Sequence, residues 1–462
     1  MEFTEYIDSL KNKRIAVIGA GVSNLPLIDL LCKAGHDVTV CDKRTQVEMG
    51  EQGEHLQAQG AKLCLGPAYL EGLSGFDLIF RTPGLLPLNP ALKQASDKGV
   101  EITSEMEVFF KLCPCKTIAI TGSDGKTTTS TVIAELLRAS GKTVHLGGNI
   151  GHPLLCDIPN MTKDDICVLE LSSFQLHSMY CKPDVAVITN VSPNHLDVHP
   201  DYADYMNAKK SVYLHQDGDC RLVVNADNEI TESFGKEAHS QVYRFSRRGP
   251  VARGAYYADG KIWFADGGVA HAVIAVDEIR IPGMHNVENY MAALCTTYGM
   301  VDRETFCQVA RDFAGVAHRL ELIRELRGVK YINDSIASSP TRAIAGLRSF
   351  KPTDRLVLIV GGHDKNIPFD ELGDEICQRC KALFICGETA EKISAAVRNS
   401  QYYTPKFPVF VHGDWTENVL AASRFAEPGD TVLLSPACSS FDFFKNFAQR
   451  GDLFREIVMG LT

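Results

Sequence analysis

Apolar runs of strand length recur along the whole chain, each followed by a longer amphipathic segment, and this alternation restricts the fold more than any other feature. Ile15–Ile18, Thr117–Ile120, Ile166–Leu171, Val185–Ile188, Leu222–Val224, Leu356–Val360, Leu383–Ile385 and Val432–Leu434 are such runs. Strands buried on both faces read as continuous apolar runs, and parallel neighbours need a long crossover, usually helical, between them. The class is therefore α/β with parallel sheets. A chain of 462 residues has room for about three domains of roughly 100–200 residues. Strand-to-glycine transitions at Ile18-Gly19, Ile120-Thr121-Gly122 and Val360-Gly361-Gly362 give each a nucleotide-facing edge. The expected division is an N-terminal Rossmann-like domain at 1–104, a central P-loop ATPase-like parallel sheet at 105–315, and a C-terminal Rossmann-like domain at 316–462. Gly254–Tyr257 and Lys261–Phe264 flank Asp259-Gly260, the signature of a hairpin appended to the central domain.

The formal net charge of -10 argues against a general nucleic-acid binder, which needs a basic face to neutralise phosphates. The start, Met1-Glu2-Phe3-Thr4-Glu5-Tyr6, lacks the basic and apolar regions of a secretory signal. No apolar run approaches the roughly 18 residues of a membrane span. A cytoplasmic protein without membrane insertion is expected. The fifteen cysteines sit mostly among apolar neighbours and read as reduced, buried thiols. Cys113-Pro114-Cys115 and Cys377-Gln378-Arg379-Cys380, the latter in an expected helix, each lack a second pair to complete a four-ligand zinc site, so both read as structural or incidental.

The sharpest chemical signal is Thr121-Gly122-Ser123-Asp124-Gly125-Lys126-Thr127-Thr128, which follows a buried strand and precedes a helix expected from about Thr128. Glycines let backbone N–H groups face an anion, a helix N-terminus adds partial positive charge, Lys126 reaches the terminal phosphates and the Thr127 hydroxyl can ligate Mg²⁺. The GxxGKT spacing is shorter than the common GxxxxGK[ST] pattern. Downstream, Glu170 closes one strand, and His195 and Asp197 occupy the loop after another. Parallel sheets place ligands beyond the carboxyl ends of their strands, so Glu170 and His195 are expected near Lys126, where a carboxylate and an imidazole suit Mg²⁺ or Mn²⁺.

Near the N-terminus, Gly19-Ala20-Gly21-Val22-Ser23-Asn24, with Asp42 further on, has the outline of a dinucleotide fingerprint but lacks the third glycine. Taken alone, the loop admits NAD or another nucleotide diphosphate, and an NAD-dependent oxidoreductase is the alternative class it raises. That alternative leaves Lys126, Glu170, His195 and Lys209 without a role. A non-catalytic nucleotide-binding regulator would need no such metal-ligand set.

Nine segments, in order, resemble the Mur ligases over nearly the whole chain: TGSDGKTTT (121–129), GGNIG (147–151), LELSSFQL (169–176), TNVSPNHLD (189–197), YMNAKKSVY (205–213), PGMHNVEN (282–289), AHRLE (317–321), NDSIAS (333–338) and LLSPACSSFDFFKNFAQRG (433–451). LELSSFQL and the last segment resemble the D-glutamate-adding branch. The resemblance implies ATP-dependent ligation of D-glutamate to UDP-N-acetylmuramoyl-L-alanine through an acyl phosphate, in peptidoglycan precursor synthesis, by a monomer.

On this resemblance, Gly122 to Thr128, Lys126 above all, hold ATP with Mg²⁺. Thr127, Glu170, His195 and a CO₂-carbamylated Lys209 hold two metal ions. Asn289 contacts adenine, Arg319 the transferring phosphoryl group and Asp334 the ribose. Without the resemblance, Lys209 reads as a surface lysine beside Lys210. Gly19, Gly21, Val22, Ser23, Asp42, Thr82, Pro83, Gly84 and Asn149 are implied to hold the UDP substrate, and Ser338, Lys365, Ser440 and Phe447 the glutamate. Folate-adding relatives would not need the UDP-gripping segments. One departure is Ile336, where the family commonly carries lysine; Arg342 is the candidate replacement cation, and the change leaves D- against L-glutamate open. A closure of the C-terminal domain is expected to complete the site.

Overall fold

The computed structural model describes residues 1–177, 179–193, 198–364 and 367–462. Two compact units result, Met1–Asp312 and Phe313–Thr462.

The first unit holds two sheets. Strands β1 (Arg14–Ile18), β2 (Asp37–Asp42), β3 (Lys62–Leu65), β4 (Leu78–Phe80) and β5 (Glu101–Thr103) form a parallel sheet in the order β3-β2-β1-β4-β5. The order reverses between β1 and β4, which opens a crevice beyond their carboxyl ends, where α/β sheets bind ligands. Ile15 and Val17 are buried on one face of β1 and Ala16 and Ile18 on the other, so beyond the exposed Arg14 the strand is apolar, as its sequence run required.

The second sheet has nine strands. Following β6 (Lys116–Thr121), β7 (Val144–Gly148), β8 (Ile166–Glu170), β9 (Val185–Ile188), β10 (Arg221–Asn225), β11 (Gln241–Ser246), β12 (Gly254–Ala258), β13 (Lys261–Asp266) and β14 (Val269–Ala275), the order is β14-β13-β12-β11-β10-β9-β6-β8-β7. Pairing is parallel from β7 to β12 and antiparallel for β12–β13 and β13–β14. The expected hairpin is therefore present and gains a third strand. Asp259 at φ 49° and Gly260 at φ 73° put both turn residues in the left-handed region that a two-residue hairpin demands. Strand β6 lies between β8 and β9, so the ends of all three meet at one edge.

The second unit carries β15 (Glu321–Leu326), β16 (Val329–Asn333), β17 (Arg355–Val360), β18 (Cys380–Cys386), β19 (Val409–His412) and β20 (Asp430–Leu434) in the order β15-β16-β20-β17-β18-β19, parallel except for β15–β16. Buried aliphatic clusters cover both faces of this sheet. Cys377 lies in the helix Asp370–Arg379, but Cys380 opens β18 rather than continuing that helix, because the backbone becomes extended there (φ -100°, ψ 145°). Among the described residues no helix is long and apolar enough to cross a membrane.

Candidate active site

The Gly122–Thr128 loop turns on two glycines at which any side chain would be strained and crowded. Gly122 sits at φ 148°, and a Cβ there would lie 1.9 Å from Thr189 Oγ1; Gly125 sits at φ 79°, and a Cβ would lie 2.5 Å from Asn289 Oδ1. The helix begins at Lys126, two residues before the expected position, because Gly125 takes the left-handed N-cap conformation. Lys126, Thr127 and Thr128 thus fall in the first helical turn, whose backbone N–H groups lack intrahelical acceptors. The loop is tied to β9 and the segment after it. Ser123 N–H donates to Asn190 O at 2.9 Å, Asp124 N–H to Asn190 Oδ1 at 3.0 Å, and Thr189 Oγ1 to Asp124 O at 2.6 Å. Lys126 Nζ donates to the carbonyls of Gly122 and Ser123, both at 2.9 Å. Asn289 packs its amide against the loop and accepts from Thr129 Oγ1 at 3.2 Å.

Glu170 ends β8 and is 1% exposed. Asn149 Nδ2 donates to its Oε1 at 2.9 Å, whereas Oε2 has no partner among the described residues. A buried carboxylate oxygen left unpaired is costly, and a hard divalent cation is the partner that would satisfy it. Thr127, which carries the hydroxyl expected at a cation, lies in the first turn on the same sheet edge. These donors are oxygen atoms, the set that Mg²⁺ takes.

Lys209 is 1% exposed, not on the surface. It extends from the helix Tyr202–Lys210, donates from Nζ to Gly122 O at 2.8 Å and lies 4.6 Å from the centroid of the Tyr205 ring. Burial, and then the Lys126 charge, push its pKa well below that of an ordinary lysine. His195, the other expected ligand, and Asp197 lie outside the described residues.

At the crevice of the first sheet, Gly19 at φ 83° brings its backbone against Thr82: a Cβ on Gly19 would lie 3.2 Å from Thr82 Cβ. Gly21 and Val22 are exposed and Ser23 half-buried. Asn24, in place of the third glycine, donates to the carbonyls of Ile18 at 3.0 Å and Gly19 at 3.1 Å, pinning the loop to its strand. Each Asp42 carboxylate oxygen accepts two bonds, from Ala20 N–H, Arg44 N–H and two guanidinium nitrogens of Arg44. Burial pushes this carboxyl up, but those donors outweigh it and hold it at about 2. With its lone pairs so occupied, Asp42 is a poor ribose acceptor of the kind NAD sites use. Ser23, Asn24 and Pro83 also line a cleft with Gly148, at the end of β7, and Gln175, in the short helix after β8.

In the second unit the predicted residues gather beyond the ends of β16, β17 and β20. Asp334 N–H donates to Leu434 O at 2.7 Å, and its carboxylate accepts from Ser435 Oγ at 2.8 Å and Leu320 N–H at 3.3 Å. Burial pushes this carboxyl up to about 7 against the pull of these donors and of Arg319 and Arg342. Arg319 lies between His318 at φ 62° and Leu320 at φ 44°, and Ala437 in the following motif sits at φ 61°. Left-handed non-glycine residues are costly and collect where backbone shape serves a site. Ser440 is buried, Ser338 half-buried and Phe447 exposed. Arg342 lies at Ile336, with Nη1 3.5 Å from its carbonyl. Lys365 lies outside the described residues.

Three family models cover most of the chain: a Mur ligase MurD-like N-terminal domain over residues 13–104, a Mur ligase middle domain over 120–297, and a Mur ligase glutamate ligase domain over 318–438. A relative from Acetivibrio thermocellus named UDP-N-acetylmuramoylalanine-D-glutamate ligase is 48% identical over 99% of this chain and 98% of its own length. The chain belongs to the Mur ligase family. A Clostridium novyi relative of the same name is 45% identical, covering 99% of each chain. The crystal structure of UDP-N-acetylmuramate-alanine ligase MurC from Thermotoga maritima shares the fold, with a TM-score of 0.59 and 17% identity over 97% of this chain and 99% of that one.

Several residues that shape this Mur ligase's site gave no sequence signal. Arg450 is fully buried, and among the described residues no carboxylate is bonded to it. It donates to Ser335 O at 2.9 Å, Ser335 Oγ at 3.1 Å and Ser439 O at 3.2 Å, joining the NDS and SPACSS loops, and burial lowers its pKa to about 10. Arg81 donates to His177 O at 3.0 Å and Phe174 O at 3.3 Å, tying the end of β4 to the short helix after Glu170. A third network runs from Ser173 Oγ to His199 Nε2 at 2.9 Å, from His199 Nδ1 to Asp204 Oδ2 at 2.6 Å, and from Asp204 Oδ1 to His177 Nε2 at 2.9 Å. It anchors the helix that carries Lys209. Apart from the His199–Asp204 pair, their partners are backbone groups or residues distant in sequence, which is why spacing could not reveal the networks.

Proposed function

We propose that this Mur ligase joins D-glutamate to UDP-N-acetylmuramoyl-L-alanine at the expense of ATP; its full-length relatives are named UDP-N-acetylmuramoylalanine-D-glutamate ligase. The observation that carries the chemistry is the edge where the P-loop, the unpaired Glu170 Oε2 and the buried Lys209 amine meet. A carboxylate is a poor electrophile. Phosphorylating the alanyl carboxylate supplies a leaving group, the glutamate amine attacks the acyl phosphate, and the tetrahedral intermediate collapses to amide and phosphate.

The residues position and neutralise. Residues 1–104 serve as the UDP-substrate domain: Gly19, Gly21, Val22 and Ser23 cradle the diphosphate, Thr82, Pro83 and Gly84 line the same pocket, and Asp42 shapes the loop through Ala20. Asn149 orients both Glu170 and the reacting end of the substrate. Residues 105–315 bind ATP through Gly122 to Thr128, with Asn289 at adenine. Residues 316–462 supply Arg319 to the phosphoryl group, Asp334 to the ribose, and Ser338, Ser440 and Phe447 to glutamate. Thr127, Glu170 and a carbamate on Lys209 would hold two Mg²⁺ ions, which would supply charge neutralisation at the phosphoryl oxygens. A neutral amine is what CO₂ reacts with, and burial, then the Lys126 charge, shifts Lys209 toward that form. Substrate labelled with ¹⁸O in both oxygens of the alanyl carboxylate tests the acyl phosphate: one label per turnover appears in released phosphate if this route operates, and released phosphate carries none, the label leaving in AMP or water, if it does not.

A further inference from the structure

Cys113 and Cys115 do not stand alone: the fold brings Cys167 to them. The three sulfurs form a triangle with Sγ–Sγ distances of 3.5, 3.7 and 3.2 Å. Cys113 caps the end of the helix Glu105–Leu112, Cys115 immediately precedes β6, and Cys167 is the second residue of β8, paired with Thr117. Cys115 and Cys167 are buried, Cys113 is half-buried and gives access from solvent, and all three are free thiols. A fourth sulfur, Sδ of the buried Met161, lies 3.8 Å from Cys167 Sγ.

Cysteines that act only as small apolar residues pack against carbon. Here the thiols point at one another, and among the described residues Cys113's one hydrogen-bond partner apart from sulfur is the Cys115 carbonyl, at 3.6 Å. A metal–sulfur bond of about 2.3 Å places the sulfurs of a tetrahedral site roughly 3.8 Å apart. The triangle needs shifts on the order of 0.5 Å to reach that geometry. Thiolates and thioethers select soft cations, whereas Mg²⁺ takes oxygen.

We propose that Cys113, Cys115 and Cys167 form a binding site for a thiophilic d¹⁰ cation, Cu⁺ or Zn²⁺, with Met161 beside it as a thioether donor. The thioether favours Cu⁺. Binding exchanges three S–H protons for three metal–sulfur bonds and releases those protons to solvent. The site lies at the amino ends of β6 and β8, the opposite edge of the sheet from Gly122 and Glu170. It would clamp the segment that leads from β5 through the helix Glu105–Leu112 into β6, a stabilising role separate from the ligase reaction.

The test is anaerobic titration of the reduced full-length protein with Cu⁺ against a copper(I)-specific chelator and, separately, with Zn²⁺ against a chromophoric chelator. One equivalent drawn from either chelator is expected, Cu⁺ the more tightly. That equivalent should be lost in Cys113→Ser/Cys115→Ser and kept in Cys32→Ser/Cys64→Ser. Alkylation of Cys113 in the native wild type, read by mass spectrometry, should slow roughly tenfold with metal bound, a readout that does not depend on the variants folding. No stoichiometric uptake, uptake retained by Cys113→Ser/Cys115→Ser, or unchanged alkylation of Cys113 would each overturn the proposal.

Discussion

Lys209 Nζ donates to the carbonyl of Gly122 at 2.8 Å, so the helix Tyr202–Lys210 and the phosphate loop share one buried amine. The burial of Lys209 removes the surface-lysine reading, and burial together with the Lys126 charge favours its uncharged form. Replacing Lys209 by Arg fixes a positive charge beside Lys126 and forbids carbamate formation. Ligase turnover should fall by roughly a hundredfold or more, while Lys210→Arg stays near wild type. Phosphate-release rates check both, and ¹³C NMR under ¹³CO₂ should show a carbamate signal that Lys209→Arg lacks.

Gly125→Ala forces a side chain into the left-handed region and onto Asn289 Oδ1. The expected cost is about 1–3 kcal/mol of stability together with weakened ATP binding. Denaturant unfolding and nucleotide titration measure the two. Combining it with Asn289→Ala should recover part of the stability and none of the nucleotide affinity.

Much of this was legible in the sequence, and what was hidden has a consistent cause. The apolar runs announced the parallel strands because strands covered on both faces have no polar side to interrupt them. TGSDGKTT announced the loop because its glycines, lysine and threonines are adjacent in sequence. The Lys209 environment, the Arg450 bridge between two loops and the approach of Cys167 to Cys113 and Cys115 depend on strand order, which local pattern does not encode. Helix onset at Lys126 was misjudged by two residues because a left-handed glycine N-cap carries no side-chain signal.

Glu105 accepts from Leu155 N–H at 2.9 Å, and burial pushes its carboxyl up to about 7. A folded-state pKa above the unfolded value means its contribution is fully present below about pH 4.5 and is lost as pH rises through 7. Glu105→Gln keeps the acceptor and does not titrate. The variant should therefore gain stability relative to wild type between pH 5 and pH 8, by up to about 3 kcal/mol, as read from urea midpoints across that range.

Arg342 is placed to supply the cation that Ile336 does not, since it lies at the Ile336 carbonyl and its charge acts on Asp334. Arg342→Ala should raise KM for ATP or glutamate several-fold, and Ile336→Lys in that background should restore it. Steady-state kinetics with each substrate varied decides this, and unchanged constants in Arg342→Ala would remove the role.

The account as a whole stands most directly on phosphate release by the purified protein supplied with ATP, Mg²⁺ and UDP-N-acetylmuramoyl-L-alanine, with D-glutamate, L-glutamate or no amino acid added. Release that requires D-glutamate is the predicted result. Equal release with L-glutamate, or none with either isomer, would contradict it.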